Sequence, residues 1–204
     1  MVAATTACTQ DDVVGTTPEG GEETMVSFVL TTDEAEGEET RAISDGTTVD
    51  LLYYAIYNEN GEVVIPKATR RNATGLTSES GLTMYISMPA GRNYKAVFWA
   101  QSSKTEAYTL TDDMTVDVNY AVACNDENCD AFYAATEFFA TTDDGVEVTL
   151  RRPFAQLNIA TSNIESAVGV LKAELTQTAV RANTCTKLNL ASGVASEAAE
   201  HRFN

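Results

Sequence analysis

From Thr24 onward, apolar residues recur at every second position in short runs separated by turn-forming residues. In TMVSFVLT, Val26, Phe28 and Leu30 fall on one side, the period-two pattern of a strand with one buried face. VDLLYYAIYNENGEVVIP predicts a hairpin: a Tyr- and Leu-rich strand, a turn at residues 58–61, and a return strand closed by Pro66. GLTMYISMPAG alternates Leu82, Met84, Ile86 and Met88 before a Pro-Ala-Gly turn. NYKAVFWAQ then sets Tyr94, Ala96 and Phe98 against Val97 and Trp99, so the two runs predict a second hairpin. Further strands are expected at MTVDVNYAV, VEVTL, FAQLNIAT and FYAATEFFA, the last of which also reads as a helical turn. TTDDGVEV carries the Asp and Gly of a hairpin turn.

Turn signals recur roughly every 8–12 residues among Thr, Val and Tyr, which predicts an all-β sandwich or barrel. SNIESAVGVLKAELTQTAV fits a helix and a strand pair alike. The expected organisation is a tail and flexible linker over residues 1–23, a β-sandwich over 24–160, and a remainder over 161–204. That remainder is too short to bury a core of its own. It either completes the sandwich or begins an incomplete second β domain.

The 204 residues carry 13 Lys and Arg against 30 Asp and Glu, a formal charge of −17. This balance repels phosphate backbones and anionic headgroups, so neither nucleic acid nor a charged membrane surface is an expected partner. Four cysteines, Cys8, Cys124, Cys129 and Cys185, lack the paired spacing of a structural zinc site. CNDENCD is read either as a reduced acidic loop or as one clipped locally by a Cys124–Cys129 disulfide, if the protein is exported. VAATTAC reads as the last part of a lipoprotein signal: small residues directly before Cys8, then a polar tether, TQDDVVGTTPEGGEET. On that reading Met1 is internal to a longer reading frame; the alternative is an ordinary cysteine in a tail.

Catalytic chemistry finds little support. The one histidine, His201, lies near the end of the sequence, where a weakly structured tail cannot hold a catalytic geometry. Phosphate-loop, HExxH and EF-hand patterns are missing from the sequence. Acidic pairs such as Asp112-Asp113 and Asp143-Asp144 read as solvated turns, and no carboxylate pair stands out for glycoside chemistry. The expectation is a protein that is not an enzyme and needs no cofactor or metal. Aromatics at strand spacing are core before they are a platform, yet Tyr53, Tyr85 and Trp99 are the residues that would form an exposed sugar-stacking cluster.

RRPFAQLNIAT, together with the Tyr-rich hairpin DLLYYAIYNENGEVV and the lipobox-like Cys8, resembles the fimbrillin-like proteins of Bacteroidales. The resemblance implies a transthyretin-like antiparallel β-sandwich, exported to the outer membrane and cell surface and held there by a lipid on Cys8 alone. It further implies a structural or adhesive fimbrial subunit whose partners are other fimbrial subunits or surface proteins. In polymerising members an arginine-specific protease cuts after the first strand, which is then replaced by a strand of the next subunit. On this sequence the cut falls after Arg41 in EETRAIS, and the exchanged strand, residues 24–31, carries Val26, Phe28 and Leu30. Arg70-Arg71 is a rival site, but cutting there frees no terminal strand. The family's second sandwich and donor segment are not visible in this sequence. The alternative function is a cell-surface glycan- or protein-binding β-sandwich module that does not polymerise.

The exchange reading also stands on physical grounds. Burial of each of Val26, Phe28 and Leu30 contributes about 1.5–3 kcal/mol. Together they approach the net stability of a whole domain, roughly 5–15 kcal/mol. A sandwich without that strand exposes an apolar groove and unpaired backbone groups, both of which strand addition repairs.

Overall fold

The computed structural model of the chain describes residues 22–33, 48–74, 76, 81–122, 127–141, 145–154 and 179–203. Among these residues the strands are β1 (Glu23–Thr32), β2 (Leu51–Asn58), β3 (Val63–Arg71), β4 (Leu82–Pro89), β5 (Asn93–Gln101), β6 (Tyr108–Leu110), β7 (Thr115–Val118), β8 (Ala131–Phe139), β9 (Val146–Leu150), β10 (Val180–Asn189) and β11 (Val194–Phe203). They form three sheets, ordered β4-β1-β9, β3-β2-β5-β8 and β11-β10-β7-β6. The all-β class read from the alternation is the observed one.

The β2–β5 pair is the middle of the molecule. Its even-numbered residues, Leu52, Tyr54, Ile56, Ala96 and Phe98, pack against Val26, Phe28, Leu30, Ile86 and Leu150 of the β4-β1-β9 sheet. Its odd-numbered residues, Ala55, Tyr57, Val97 and Trp99, pack against Met114, Val116 and Leu190 of the third sheet. A strand covered on both faces needs apolar residues at every position, which is why β5 runs without an exposed residue from Tyr94 to Gln101. Strands covered on one face alternate instead: β1 reads exposed, buried, exposed, buried from Glu23.

The β2–β3 hairpin forms as its sequence predicts. Gly61 takes a φ of +80° in the turn, a conformation open to glycine. Pro66 does not close the return strand, however. It lies within β3, an edge strand, where the register against β2 shifts between Tyr54 and Ile56, a place that tolerates a missing N–H. FYAATEFFA is strand β8, paired with β5 from Gln101↔Ala131 to Asn93↔Phe139.

Two expected hairpins are not hairpins. β4 pairs with β1, whereas β5 pairs with β2 and β8, so the Pro-Ala-Gly turn carries the chain from one sheet to the next. The cause lies in the burial patterns: β4 has one apolar face and belongs on the outside, while β5 has two and belongs in the middle. Likewise β8 is in the middle sheet and β9 beside β1, so TTDDGVEV joins two layers. Because β9 sets out from the end at which β1 begins, it runs parallel to β1, from Phe28↔Val146 to Thr32↔Leu150. The sandwich is antiparallel, as expected, apart from this one parallel pair among the described strands. A bridge between Tyr133 and Arg151 links β8 to the chain just past β9 and closes one side of the first two layers.

In the 161–204 remainder, β10 pairs with β7 over Lys187–Asn189 and with β11 along its length, adding the third layer. This hairpin is fastened to the middle sheet by the Tyr133 hydroxyl, which donates to the Leu190 carbonyl at 2.9 Å, and by Lys95, which donates to the Ala191 carbonyl. FAQLNIAT beyond Phe154 and most of SNIESAVGVLKAELTQTAV lie outside the described residues. His201 is not in a loose tail: it belongs to β11, with its ring 4.7 Å from that of Tyr120.

Phe28→Ala is expected to lower stability by about 3–5 kcal/mol, the cost of emptying a fully packed aromatic site. Met25→Ala, on the exposed face of the same strand, is expected to change it by no more than about 0.5 kcal/mol. Urea unfolding of the two variants checks the contrast, and equal losses contradict the placement of β1.

Candidate functional site: the slot of the N-terminal strand

β1 is the middle strand of its sheet, with β4 antiparallel on one side and β9 parallel on the other. Its inward row is Thr24, Val26, Phe28, Leu30 and Thr32, all buried. Phe28 is the centre of that row. Its ring meets Phe98 edge-on at 5.5 Å and Phe138 at 5.0 Å, and Tyr94 stacks on Phe138 at 5.8 Å. These edge-to-face contacts join the first sheet to the middle one through a single side chain of β1.

The two flanks of β1 are unequal. β4 accompanies it from Glu23 to Leu30, whereas β9 reaches only Phe28–Thr32. The first half of β1 therefore has a ladder on one side. Beside it lies a notch of about 270 Å³ lined by Glu22, Glu23, Thr24, the Ala90–Gly91 corner and residues 139–141. Gly91 turns that corner at a φ of +73°, and its N–H donates to the Ala140 carbonyl at 2.9 Å. Phe139 stands at the notch with 55% of its surface exposed. The Thr24 hydroxyl is buried with no hydrogen-bond partner.

Of the residues expected to act, Val26, Phe28 and Leu30 are brought together in this slot, exposed by 1%, 0% and 0%. Cys8, Arg41 and Cys124 lie outside the described residues. Cys129 ends the turn Glu127–Cys129, and its carbonyl accepts the Tyr108 hydroxyl at 2.8 Å. Arg70 sits inside β3 and donates to the Thr83 carbonyl of β4 at 3.0 Å, bridging the two layers on the side away from β9. Alternation places Thr24 at the head of the inward row but carries no sign that its hydroxyl is unpartnered.

The aromatic platform does not assemble. Trp99 is fully buried, with its indole N–H donating to Gln101 at 2.7 Å. Tyr53 packs, partly buried, into the cluster between the middle and third sheets, and Tyr85 is 66% exposed on the outer face of the first. The mistake arises because Trp99 lies on a strand covered on both faces.

Asp130, Asp50 and Asp113 serve the scaffold. Asp130 accepts Arg152 Nε and Nη2, both at 2.9 Å, and the guanidinium lies 4.9 Å from the centre of the Phe132 ring. Asp50 accepts the Ser103 hydroxyl at 2.7 Å. Asp113 is held below the usual carboxylate range by hydrogen bonds from Thr111 and then Thr115, which outweigh slight desolvation. Among the described residues no three His, Cys, Asp or Glu side chains are grouped to hold a metal ion.

Burial pushes the phenols of Tyr54, Tyr57, Tyr94 and Tyr133 upward; nearby Arg70 and Arg92 partly offset this at Tyr54 and Tyr94, and Asp113 adds to it at Tyr57.

Layer architecture and slot together define an all-β sandwich protein with its N-terminal strand buried between two neighbours. Over residues 17–204 the chain matches the model of a family of unknown function, DUF6562, and it belongs to that family. No curated protein matches it in sequence. Similar solved structures include a DUF1812 protein of Bacteroides thetaiotaomicron VPI-5482, provisionally described as polysaccharide-binding, at 13% identity and a TM-score of 0.42. That match covers 62% of this chain and 46% of the other. Another is a fimbrial assembly protein of Parabacteroides distasonis ATCC 8503, at 12% identity and a TM-score of 0.36, covering 65% of this chain and 53% of that one. The matched part of this chain thus spans about half the length of each structure.

The tyrosines give a pH prediction. A phenol whose folded pKa exceeds its unfolded value of about 10 contributes stability that is complete below the unfolded value and is lost as pH rises through the folded one. Alkaline unfolding is expected above about pH 10, with the ring NMR signals of Tyr54, Tyr57, Tyr94 and Tyr133 shifting only as circular dichroism is lost. Ring signals of these four that shift while circular dichroism is intact contradict the burial.

Proposed function

We propose that the chain is a surface-exposed, non-enzymatic β-module of fimbrillin type that assembles with other subunits by exchange of its N-terminal strand. The observation that supports this most is the place of β1: central in its sheet, buried along its inward row, and linked to β2 in another layer through residues 34–47. Arg41 lies in that linking segment. A cut after it leaves β1 held by hydrogen bonds and side-chain burial alone. Loss of β1 bares one edge of β4, one edge of β9 and the faces of Phe98 and Phe138. A strand from another subunit restores all of these at once. A lipid on Cys8 supplies the link to the outer membrane on this reading, as a flexible tether upstream of the exchanged strand.

A second reading, a surface module that binds glycan or protein without polymerising, is favoured by Tyr85 and Met25, exposed by 66% and 49% on the outer face of the first sheet.

Cleavage after Arg41 separates the two. Treated with an arginine-specific protease and mixed with a fimbrial subunit that carries a donor strand, the chain is expected to form a complex with that subunit once β1 dissociates, and Arg41→Ala to stay monomeric under the same treatment. A cleaved chain that releases β1 yet takes up no donor strand contradicts strand exchange and supports the second reading. Palmitate labelling of the full reading frame in its native host is expected to mark Cys8 and to be abolished by Cys8→Ala. An unlabelled wild type removes the anchor from the proposal.

A further inference from the structure

The first residue of the inward row is a poor fit to its place. Thr24 is 95% buried, since only 5% of its surface is exposed, and its hydroxyl has no partner. A hydroxyl removed from water without a hydrogen bond destabilises whatever holds it. Thr24 lines the notch, whose other walls are Glu22 and Glu23, the Ala90–Gly91 corner and the end of β8, and the large apolar side chain there, Phe139, is left half-exposed. Among the described residues the ladder there is one-sided, because β9 begins opposite Phe28 and leaves residues 23–27 paired with β4. The other end is one-sided in the opposite sense: β4 stops opposite Leu30, while Thr32 pairs with Leu150, whose carbonyl accepts the Asp33 N–H at 2.9 Å. What sets the Thr24 end apart is the coincidence of a stranded hydroxyl and an unfilled space.

We infer, resting on the strand-exchange reading, that the slot best accommodates a strand other than β1: an extended segment of a second polypeptide with a larger apolar side chain at the position of Thr24. Such a strand keeps the contacts made by Val26, Phe28 and Leu30. It also removes the unpartnered hydroxyl and fills the notch against Phe139. β1 is then a resident that closes the slot and yields from its Thr24 end, where the unpartnered hydroxyl and the notch leave it least well held. Thr24 is thus the specificity-determining position of the slot.

The test uses the full chain cleaved after Arg41 and fluorescent peptides spanning residues 22–33, in native sequence and as Thr24→Leu and Phe28→Asp. Thr24→Leu is expected to displace the resident strand at about tenfold lower concentration than the native peptide, and Phe28→Asp not at all. In the uncut chain, Thr24→Val is expected to raise the urea midpoint, because it removes the hydroxyl at nearly constant shape. Equal displacement by the native and Thr24→Leu peptides overturns the specificity while leaving exchange intact. Failure of every peptide to enter the slot overturns exchange and this inference with it.

Discussion

The structure depends on Phe28 being lodged between Phe98 and Phe138. Two sheets packed face to face need side chains that interdigitate, and this one ring from the outer sheet meets two rings of the middle sheet edge-on. Val26 and Leu30 flank it on the same strand, and Ile86, Met88 and Leu150 extend the contact onto β4 and β9. Because β1 lies between β4 and β9, those two strands share a sheet through β1. The N-terminal strand is therefore both the side-chain and the backbone link of the first layer.

The second constraint is that the middle sheet has no free face over β2 and β5. It fixes the layer order, since only strands apolar on both sides can occupy the centre of that sheet, and it consumes Trp99, which would otherwise be available for recognition. Trp99 meets Tyr108 and Phe154 edge-on, at 5.5 and 6.2 Å, on the side facing the third layer. Recognition by stacking is left to residues on the outer sheets, of which Tyr85 is the most exposed large one. The Asp130–Arg152 pair and the Tyr133–Arg151 bridge hold the RRPF stretch against β8, so the described part of that motif serves the scaffold.

Much of this was legible in the residues. The inward row of β1, the β2–β3 turn and the all-β class follow directly from alternation and turn chemistry, because those depend on neighbours in sequence. Sheet membership does not. Pro-Ala-Gly between two strands reads the same whether the chain returns in one sheet or crosses to another, so β4 and β5 were expected to pair and do not. The three-layer arrangement did leave a trace: Tyr94 to Ala100 is apolar on both sides apart from Lys95, which a one-faced strand does not require. The parallel β1–β9 pair arises from where β9 begins, and no local pattern encodes that.

The central claim is that β1 is a plug whose removal opens an apolar slot and costs the protein much of its stability. A chain lacking residues 1–33, examined with a dye that fluoresces on apolar surface and by urea unfolding, tests it most directly. The account predicts strong dye binding and a urea midpoint well below that of the intact protein, both reversed when a peptide of β1 is added. A truncated chain that binds no dye and unfolds at the same urea concentration as the intact protein contradicts it.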